Sequence, residues 1–235
     1  KELVACTVTF CPSPKAIFLQ QYYRSRKSMP MRYLWLSFFF VTLVWSGIGP
    51  KDYLTWALEV LPAVIGLVIL VVTRRTFPLT CLTYALILFH CLILMVGGHY
   101  TYAEVPLFDW IRDWFDLARN NYDKVGHFVQ GFVPAIIARE ILIRKQVVSG
   151  KGWLAFIVVS VCLAISAFYE LIEWWVALMS GESAEAFLGT QGDIWDTQSD
   201  MMYALTGAIM ALLLLSRWHD KQLNRYEERG TRDAV

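Results

Sequence analysis

Residues 54–73 read LTWALEVLPAVIGLVILVVT, a run of twenty residues whose single charged side chain is Glu59. Similar apolar segments recur at 31–48, 79–97, 125–143, 153–179 and 197–218. A helix needs roughly 20 apolar residues to cross about 30 Å of hydrocarbon. In lipid, only helices satisfy the backbone hydrogen bonds of such a segment internally. The sequence therefore predicts an all-α fold, a polytopic membrane bundle of about six transmembrane helices.

The composition of the whole chain agrees with a membrane protein. Hydrophobic residues make up 57% of the 235 residues and charged residues only 17%. A soluble domain of this size needs more charge to cover its surface. We expect no nucleic-acid partner, although the formal net charge of +1 by itself says nothing about one. Membrane lipids are the expected partners, and the composition leaves the oligomeric state open.

The two ends of the chain differ from its middle. Residues 1–28 form an irregular basic leader, and Met29 or Met31 would be a natural start just before the first apolar segment. We therefore interpret 1–28 as an upstream extension and exclude it from the fold. Residues 29–218 are predicted to form the six-helix membrane domain, and 219–235 a charged cytoplasmic tail.

Basic residues predict which side of the membrane each connection faces. They concentrate in the N-terminal tail, at 74–75, at 139–151 and in the C-terminal tail, whereas the other connections hold only Lys51, Arg112, Arg119 and Lys124. By the positive-inside rule, both termini are predicted to be cytoplasmic. A short amphipathic helix within 105–120 is then predicted to lie at the outer face. On the cytoplasmic side, Glu140 is expected to snorkel and His219 to be solvated.

Polar residues gather where four predicted spans reach the outer face. They lie in GGHY at 97–100, DKVGH at 123–127, ELIE at 170–173 and GDIWDTQSD at 192–200. Residues three or four apart share one face of a helix. This spacing groups Asp123 with His127, Glu170 with Glu173, and Asp193 with Asp196 and Asp200.

These groups predict a divalent-metal site. An ionisable group within a span is costly unless it is paired, hydrated or bound to a cation, and Arg119 and Lys124 are too few for so many carboxylates. Carboxylates with imidazoles suit Zn²⁺, Mg²⁺ or Mn²⁺. The predicted metal ligands are His99, Asp123, His127, Glu173, Asp193, Asp196 and Asp200, with Glu170 as general base. The metal would activate water or polarise an oxygen of a lipid-linked substrate, in a hydrolase or a transferase.

The same residues leave two other functions open. The carboxylates could carry protons or cations in a coupled transporter, although they lie at one side of the membrane and no inverted repeat is visible. They could also clamp the bundle of a structural membrane protein. In that case Asp123 caps its helix, and Glu170 and Glu173 bond to other helices.

Four strings in the chain resemble a known family. They are GGHYTY (97–102), NNYDKVGHFVQGFVPA (120–135), SAFYELIEWW (166–175) and GTQGDIWDTQSDM (189–201). They resemble the YjdF-like family of bacterial inner-membrane proteins, over essentially all of the chain from residue 29. The resemblance implies a bacterial inner membrane but no activity. Together with the topology predicted from the basic residues, it would place the site at the periplasmic face. The D-K-x-x-H string and the acidic stripe are also similar, over short motifs only, to VanZ-like membrane proteins.

Overall fold

The structure is a computed structural model that describes residues 31–180 and 191–233, so the predicted leader at 1–28 lies outside the described residues. The chain divides into two compact units, Lys1–Val41 and Thr42–Val235. Within the first unit, the described residues 31–41 are helical. The second unit contains all residues of the predicted site.

Seven helices form the described part of the chain, which contains no β-strand. They are α1 (Met31–Ser46), α2 (Tyr53–Thr73), α3 (Cys81–Tyr100), α4 (Pro106–Phe115), α5 (Tyr122–Arg144), α6 (Lys151–Ser180) and α7 (Asp196–Asp233). Helices α2, α3, α5, α6 and α7 are long and apolar enough to cross a membrane. Helix α1 is apolar and shorter over its described residues. The predicted all-α polytopic bundle is confirmed, and α4 is the short amphipathic helix.

Helix α3 ends in a reversal that returns an aromatic ring to the bundle. Thr101 and Tyr102 both adopt left-handed backbone conformations, with φ of 61° and 54°. The Tyr102 amide donates to the Gly97 carbonyl at 2.9 Å, which closes the turn. The Tyr102 ring then lies where a Cβ of Gly97 or Gly126 would be. The two glycines therefore make room for a buried tyrosine beside the predicted site.

Helices α5 and α7 pack backbone against backbone near the middle of the bundle. A Cβ on Gly131 of α5 would overlap the Ala204 carbonyl of α7, and a Cβ on Gly207 of α7 would overlap the Phe128 carbonyl of α5. Small side chains continue the contact in the core, which includes Ala135, Ala208 and Ala211. Such close approach is typical of helix packing in membranes, where small residues let backbones come together.

The antiparallel helices bring polar residues to both ends of the bundle. We call the end where α5 and α7 begin the acidic end, defined by Asp123, His127, Glu170, Glu173 and Asp200. At the opposite end, Glu140 accepts hydrogen bonds from the Thr80 amide at 2.9 Å and from the Thr83 hydroxyl at 2.6 Å. Glu140 thus caps the first turn of α3 from the neighbouring helix α5, which suits the positive end of the helix dipole.

The structure corrects two expectations at this opposite end. Glu140 and His219 are both completely buried, so the predictions of a snorkelling Glu140 and a solvated His219 were wrong. The reason is that α7 continues through the predicted tail to Asp233. Its extension packs His219 against α5, where the His219 Nε2 lies 3.2 Å from Glu140 Oε2. We call the contact of Glu140, His219 and Arg139 the latch.

The outward surfaces of the bundle are apolar, as a protein in lipid requires. Val68 and Ile69 of α2 and Phe156 of α6 each have more than half of their surface exposed. At the acidic end, Trp110 and Trp114 of α4 are 72% and 86% exposed. Exposed tryptophans on one face of an amphipathic helix are typical of a membrane–water interface. The outward surface is therefore largely apolar, and several charged residues are buried within the bundle.

Candidate functional site

Helix α5 places Asp123 and His127 on its buried face, one turn apart. His127 Nε2 lies 3.4 Å from Asp123 Oδ1 and 3.8 Å from Asp200 Oδ2 of α7. On the other side of the ring, His127 Nδ1 lies 3.0 Å from Gln130 Oε1. Because an amide oxygen can only accept, Nδ1 carries the proton in this contact. Nε2 faces the two carboxylates.

Helix α6 carries three polar side chains on the face that packs into the bundle. Ser166, Glu170 and Glu173 are buried, at the spacing of one helix face. Glu170 Oε1 lies 3.7 Å from His127 Nδ1, and within the described residues this oxygen has no hydrogen-bond partner. Leaving a buried polar atom without a partner costs free energy. Glu170 is therefore aimed at His127 with one oxygen unused.

Two sets of three residues that could hold a metal ion meet at His127. Asp123, His127 and Asp200 form one set, and His127, Glu170 and Glu173 form the other. In each set the candidate ligand atoms lie within 4.8 Å of one another. All five residues are buried. The structure thus brings together five of the residues that the sequence predicted for the site.

Two buried basic residues form ion pairs with the neighbouring carboxylates. Lys124 Nζ lies 2.6 Å from Asp196 Oδ1 and 2.8 Å from Asp200 Oδ1. Arg119 Nη1 lies 2.5 Å from Asp196 Oδ1, and Arg119 Nη2 lies 3.3 Å from Asp123 Oδ2. Asp196 Oδ1 therefore accepts hydrogen bonds from both Arg119 and Lys124. Asp200 and Asp123 each present one oxygen to a basic residue and the other to His127.

Asp193 and His99 lie outside both sets of three. Asp193 is at the edge of the cluster, where its carboxylate accepts from the Trp195 amide at 2.9 Å and lies 3.6 Å from Arg119. His99 contacts the end of α1 instead, since its Nδ1 lies 3.0 Å from the Ser46 carbonyl oxygen. The ring centroid of Trp45 lies 4.7 Å from that of His99. Asp196, which is bonded to Arg119 and Lys124, is likewise in neither set, so three predicted ligands lie outside the central group.

A buried glutamate with two tyrosines adjoins the cluster. The Tyr169 hydroxyl lies 3.3 Å from Glu59 Oε2, and the Tyr102 hydroxyl also bonds to Glu59. Burial raises the pKa of Tyr102 well above its usual value, so its hydroxyl stays protonated. The sequence analysis did not single out either tyrosine. The glycine pair in GGHYTY was the available signal, because Gly97 faces the ring that folds back onto it.

The acidic end holds far more negative than positive groups. Among the described residues, the cluster and its immediate surroundings contain seven carboxyl groups, those of Glu59, Asp123, Glu170, Glu173, Asp193, Asp196 and Asp200. Arg119 and Lys124 are the basic residues that contact them. Charges inside a membrane protein are paired, hydrated or bound to a cation. The excess among the described residues therefore calls for protons, water or a bound cation.

Comparison with known proteins assigns the chain to a family. Residues 31–221 match the family described as "Predicted membrane protein (DUF2238)". The chain belongs to this family. It is also 55% identical over 184 residues to the inner membrane protein YjdF of Escherichia coli (strain K12), which covers 78% of this chain and 88% of that protein. No solved structure matches the chain. Membership of the DUF2238 family and the apolar helices support a bacterial inner-membrane location.

Proposed function

We propose that this DUF2238 protein is a metal-dependent membrane enzyme, a hydrolase or transferase that acts on a lipid-linked substrate. The metal would be a divalent ion, Zn²⁺, Mg²⁺ or Mn²⁺, bound by Asp123, His127 and Asp200. The observation that carries the proposal is the set of ligand atoms around His127, all within 4.8 Å of one another. The excess of carboxylates over basic residues gives an independent reason for a cation there.

The contacts of His127 favour Nε2 as the ligand atom. Gln130 Oε1 accepts from Nδ1 at 3.0 Å, which would leave Nε2 as the nitrogen that loses its proton and binds a metal. Partners that orient a metal-binding histidine in this way are common in metalloproteins. Nε2 faces Asp123 Oδ1 and Asp200 Oδ2. These three atoms would supply a mixed nitrogen and oxygen ligand set, which suits the three candidate ions.

Glu170 fits the role of general base. Its Oε1 is buried, faces the His127 ring and accepts no hydrogen bond from the described residues. A base must lie within hydrogen-bond reach of the proton that it removes, directly or through one water. Glu173, one turn further along α6, would complete the second ligand set. The bound metal would lower the pKa of a water or polarise the substrate oxygen.

The remaining predicted ligands would have other roles. Asp196 is committed to Arg119 and Lys124, and Asp193 to Arg119 and the Trp195 amide. His99 is held by the Ser46 carbonyl. We therefore leave these three residues out of the proposed ligand set. The substrate class rests on location, because a site at one end of a membrane bundle, beside exposed tryptophans, is reached by amphiphiles from the bilayer.

Elemental analysis of the purified protein tests the metal. The protein would be purified in mild detergent, supplemented with Zn²⁺ or Mn²⁺ and measured by mass spectrometry. We expect about one ion per chain in the native protein and in His99→Ala, and a loss in His127→Ala and Asp200→Asn. His99→Ala is the matched control, since it removes an imidazole outside the central group. Native protein that folds without binding either ion would contradict the metalloenzyme.

Cation- or proton-coupled transport is the second candidate function. It is favoured by Glu59, whose buried carboxyl group adds to the cluster from α2 and is bonded by two tyrosine hydroxyls. Chains of protonatable groups in the interior are characteristic of proton pathways. A flux assay in proteoliposomes distinguishes the two functions. Ion or proton flux that is abolished in Glu59→Gln would favour transport over metal-dependent lipid chemistry.

A further inference from the structure

An apolar groove lies between the end of α1 and the first half of α2. Its volume is about 470 Å³, within the range of small-molecule sites in proteins. The lining residues include Leu43, Gly47, Trp56, Ala57, Leu61 and Val64. Val60, 3% exposed, forms its floor. Polar partners for water are scarce on such a surface, so hydrocarbon is the chemistry that the groove fits.

Small residues and one fixed indole create this groove. A Cβ on Gly47 would lie only 3.1 Å from the Trp56 ring, so the ring packs directly on the backbone after α1. The Trp56 Nε1 donates to the Ser46 hydroxyl at 3.1 Å, which holds the ring in place. Ala57, on the next position of α2, has too small a side chain to fill the space. The open volume is therefore built into the contact between the two helices.

The surroundings of the groove point to a lipid hydrocarbon chain as its occupant. Helix α2 is one of the spans, and groove residues such as Ile48 and Leu61 are exposed on the lipid-facing side, at 70% and 50%. Ser46, which bonds to both Trp56 and His99, is completely buried behind the lining. A groove with an apolar lining that opens toward lipid matches a hydrocarbon chain.

The groove also adjoins the acidic end through α2. A Cβ on Gly98 of α3 would lie 3.2 Å from Glu59 Cβ and 3.5 Å from Trp56 Cα, so α2 and α3 pack closely at these residues. Glu59 precedes the groove floor Val60 by one position, and its Oε2 lies 3.3 Å from the hydroxyl of Tyr169, the residue before Glu170 of the cluster. We propose that the groove binds the hydrocarbon chain of a lipid substrate whose head group reaches the His127 cluster. This inference rests on the proposed function of that cluster.

Photo-crosslinking tests the groove. The purified protein would be placed in vesicles of phosphatidylethanolamine and phosphatidylglycerol that contain a phosphatidylglycerol with a diazirine in its acyl chain. Crosslinks located by mass spectrometry should concentrate at 43–48 and 56–64. Ala57→Phe and Leu61→Trp, which fill the groove from exposed positions, should lower this yield about tenfold, as expected from excluding roughly two methylene groups. Val68→Phe is the matched control, on the lipid-facing surface outside the groove.

Crosslinking and metal content test the groove and the metal site independently. Unchanged crosslinking in both filled variants, or labelling spread evenly along the exposed face of α2, would contradict the proposal that the groove binds a lipid chain. Metal content should be the same in all of these variants, which verifies that they fold. His127→Ala should keep the crosslinks while it loses the metal. If the native protein bound no metal but still gave these crosslinks, the lipid groove would stand and only the proposed metal chemistry would be rejected.

Discussion

Lys124 is a buried cation whose bonding is complete. Only 7% of its surface is exposed. Its Nζ lies 2.6 Å from Asp196 Oδ1, 2.6 Å from the Ser199 hydroxyl and 2.8 Å from Asp200 Oδ1. An ammonium group has three N–H donors, so each donor has an oxygen. Lys124 therefore bonds to two carboxylates of α7 and connects α5 to α7 at the acidic end.

Replacing Lys124 by methionine should destabilise the protein strongly. The substitution keeps the length of the side chain but leaves Asp196 and Asp200 buried with less positive charge. Breaking a buried ion pair from one side costs about 3–5 kcal/mol, which thermal unfolding in detergent would detect as a large drop in melting temperature. Lys51→Met is the control, because Lys51 and Glu104 form an exposed pair worth about 0–1 kcal/mol. Equal effects of both substitutions would contradict the role of Lys124.

The latch fixes the protonation of His219. Arg139 Nη1 lies 3.1 Å from His219 Nδ1, and a guanidinium group can only donate. Nδ1 therefore accepts, and the proton sits on Nε2, which donates to Glu140 Oε2 at 3.2 Å. A neutral imidazole thus bridges a buried cation and a buried carboxylate.

Glutamine should replace His219 better than leucine does. The amide oxygen of glutamine can accept from Arg139 and its NH₂ can donate to Glu140, whereas leucine can do neither. His219→Leu should lower the free energy of unfolding by about 1–3 kcal/mol, the cost of leaving a buried polar group unsatisfied. His219→Gln should retain most of the stability in the same denaturation assay. A glutamine variant as unstable as the leucine variant would show that shape, not bonding, matters at this position.

Spacing along one helix predicted much of the site, because it determines which residues share a face. It grouped Asp123 with His127 and Glu170 with Glu173, and the structure brings these residues together. Contacts between helices could not be obtained in this way. Asp196 and Asp200 share the face of α7, yet only Asp200 belongs to a candidate ligand set. His99 lies near the same end of the bundle, but its ring faces Ser46.

At the scale of helices, hydropathy located the spans and missed where one of them ends. The apolar segment predicted at 197–218 matches α7 only in part, since the helix runs on to Asp233. Hydropathy reports where lipid is in contact with the chain, and a helix ends only where backbone bonding or packing fails. The extension of α7 has such support, because Gln222 accepts a hydrogen bond from the Leu82 amide at 3.1 Å. This contact between residues 140 positions apart has no signature in either segment alone.

The contact of α5 with α7 depends on the absence of a side chain at Gly131. Gly131→Ala would place a methyl group on the Ala204 carbonyl and force the two helix backbones apart. Overpacking of this kind typically costs about 1–3 kcal/mol, so we expect a lower melting temperature in detergent. Gly66→Ala makes the same chemical change in α2, where nothing lies within 4 Å of the new methyl group. There, alanine should be neutral or stabilising, because it favours a helix over glycine by about 1 kcal/mol.

A result with the opposite order would reject this account of the packing. If Gly131→Ala were tolerated and Gly66→Ala harmful, the α5–α7 contact would not be close in the protein. Gly207 offers a second test at the same contact, since a Cβ there would overlap the Phe128 carbonyl. Gly207→Ala should therefore resemble Gly131→Ala.

At the scale of the molecule, clusters of charged residues are buried and much of the surface is apolar, which is the reverse of a soluble protein. Polar clusters occupy the interior at both ends, whereas tryptophan, valine and isoleucine side chains face outward. Lipid favours this arrangement, because it solvates apolar side chains and cannot solvate charges. The two clusters differ in their chemistry. Glu140 of the latch accepts hydrogen bonds from several neighbouring donors. Among the residues that the structure describes, the acidic end instead has an excess of carboxylates and a Glu170 oxygen without a hydrogen-bond partner.

The positive-inside rule predicts that the acidic end faces the periplasm. Single cysteines in a cysteine-free background test this orientation at two exposed positions. Asp116→Cys lies just after α4, at the acidic end, and Val147→Cys lies between α5 and α6, at the opposite end. A maleimide that cannot cross membranes should label Asp116→Cys in intact spheroplasts. It should label Val147→Cys only after lysis.

The orientation determines which molecules can reach the site. Labelling of Asp116→Cys in intact cells, with the cysteine-free parent unlabelled, would restrict the substrate to lipids of the outer leaflet and to periplasmic donors or water. The reverse pattern, with Val147→Cys labelled first, would place the His127 cluster at the cytoplasm. It would then contradict the charge rule for this chain, because Lys51, Arg112, Arg119 and Lys124 would lie inside while the more basic connections lay outside. The buried ion pairs of Arg119 and Lys124 show why these two residues carry little weight in that rule, since they are neutralised by carboxylates within the bundle.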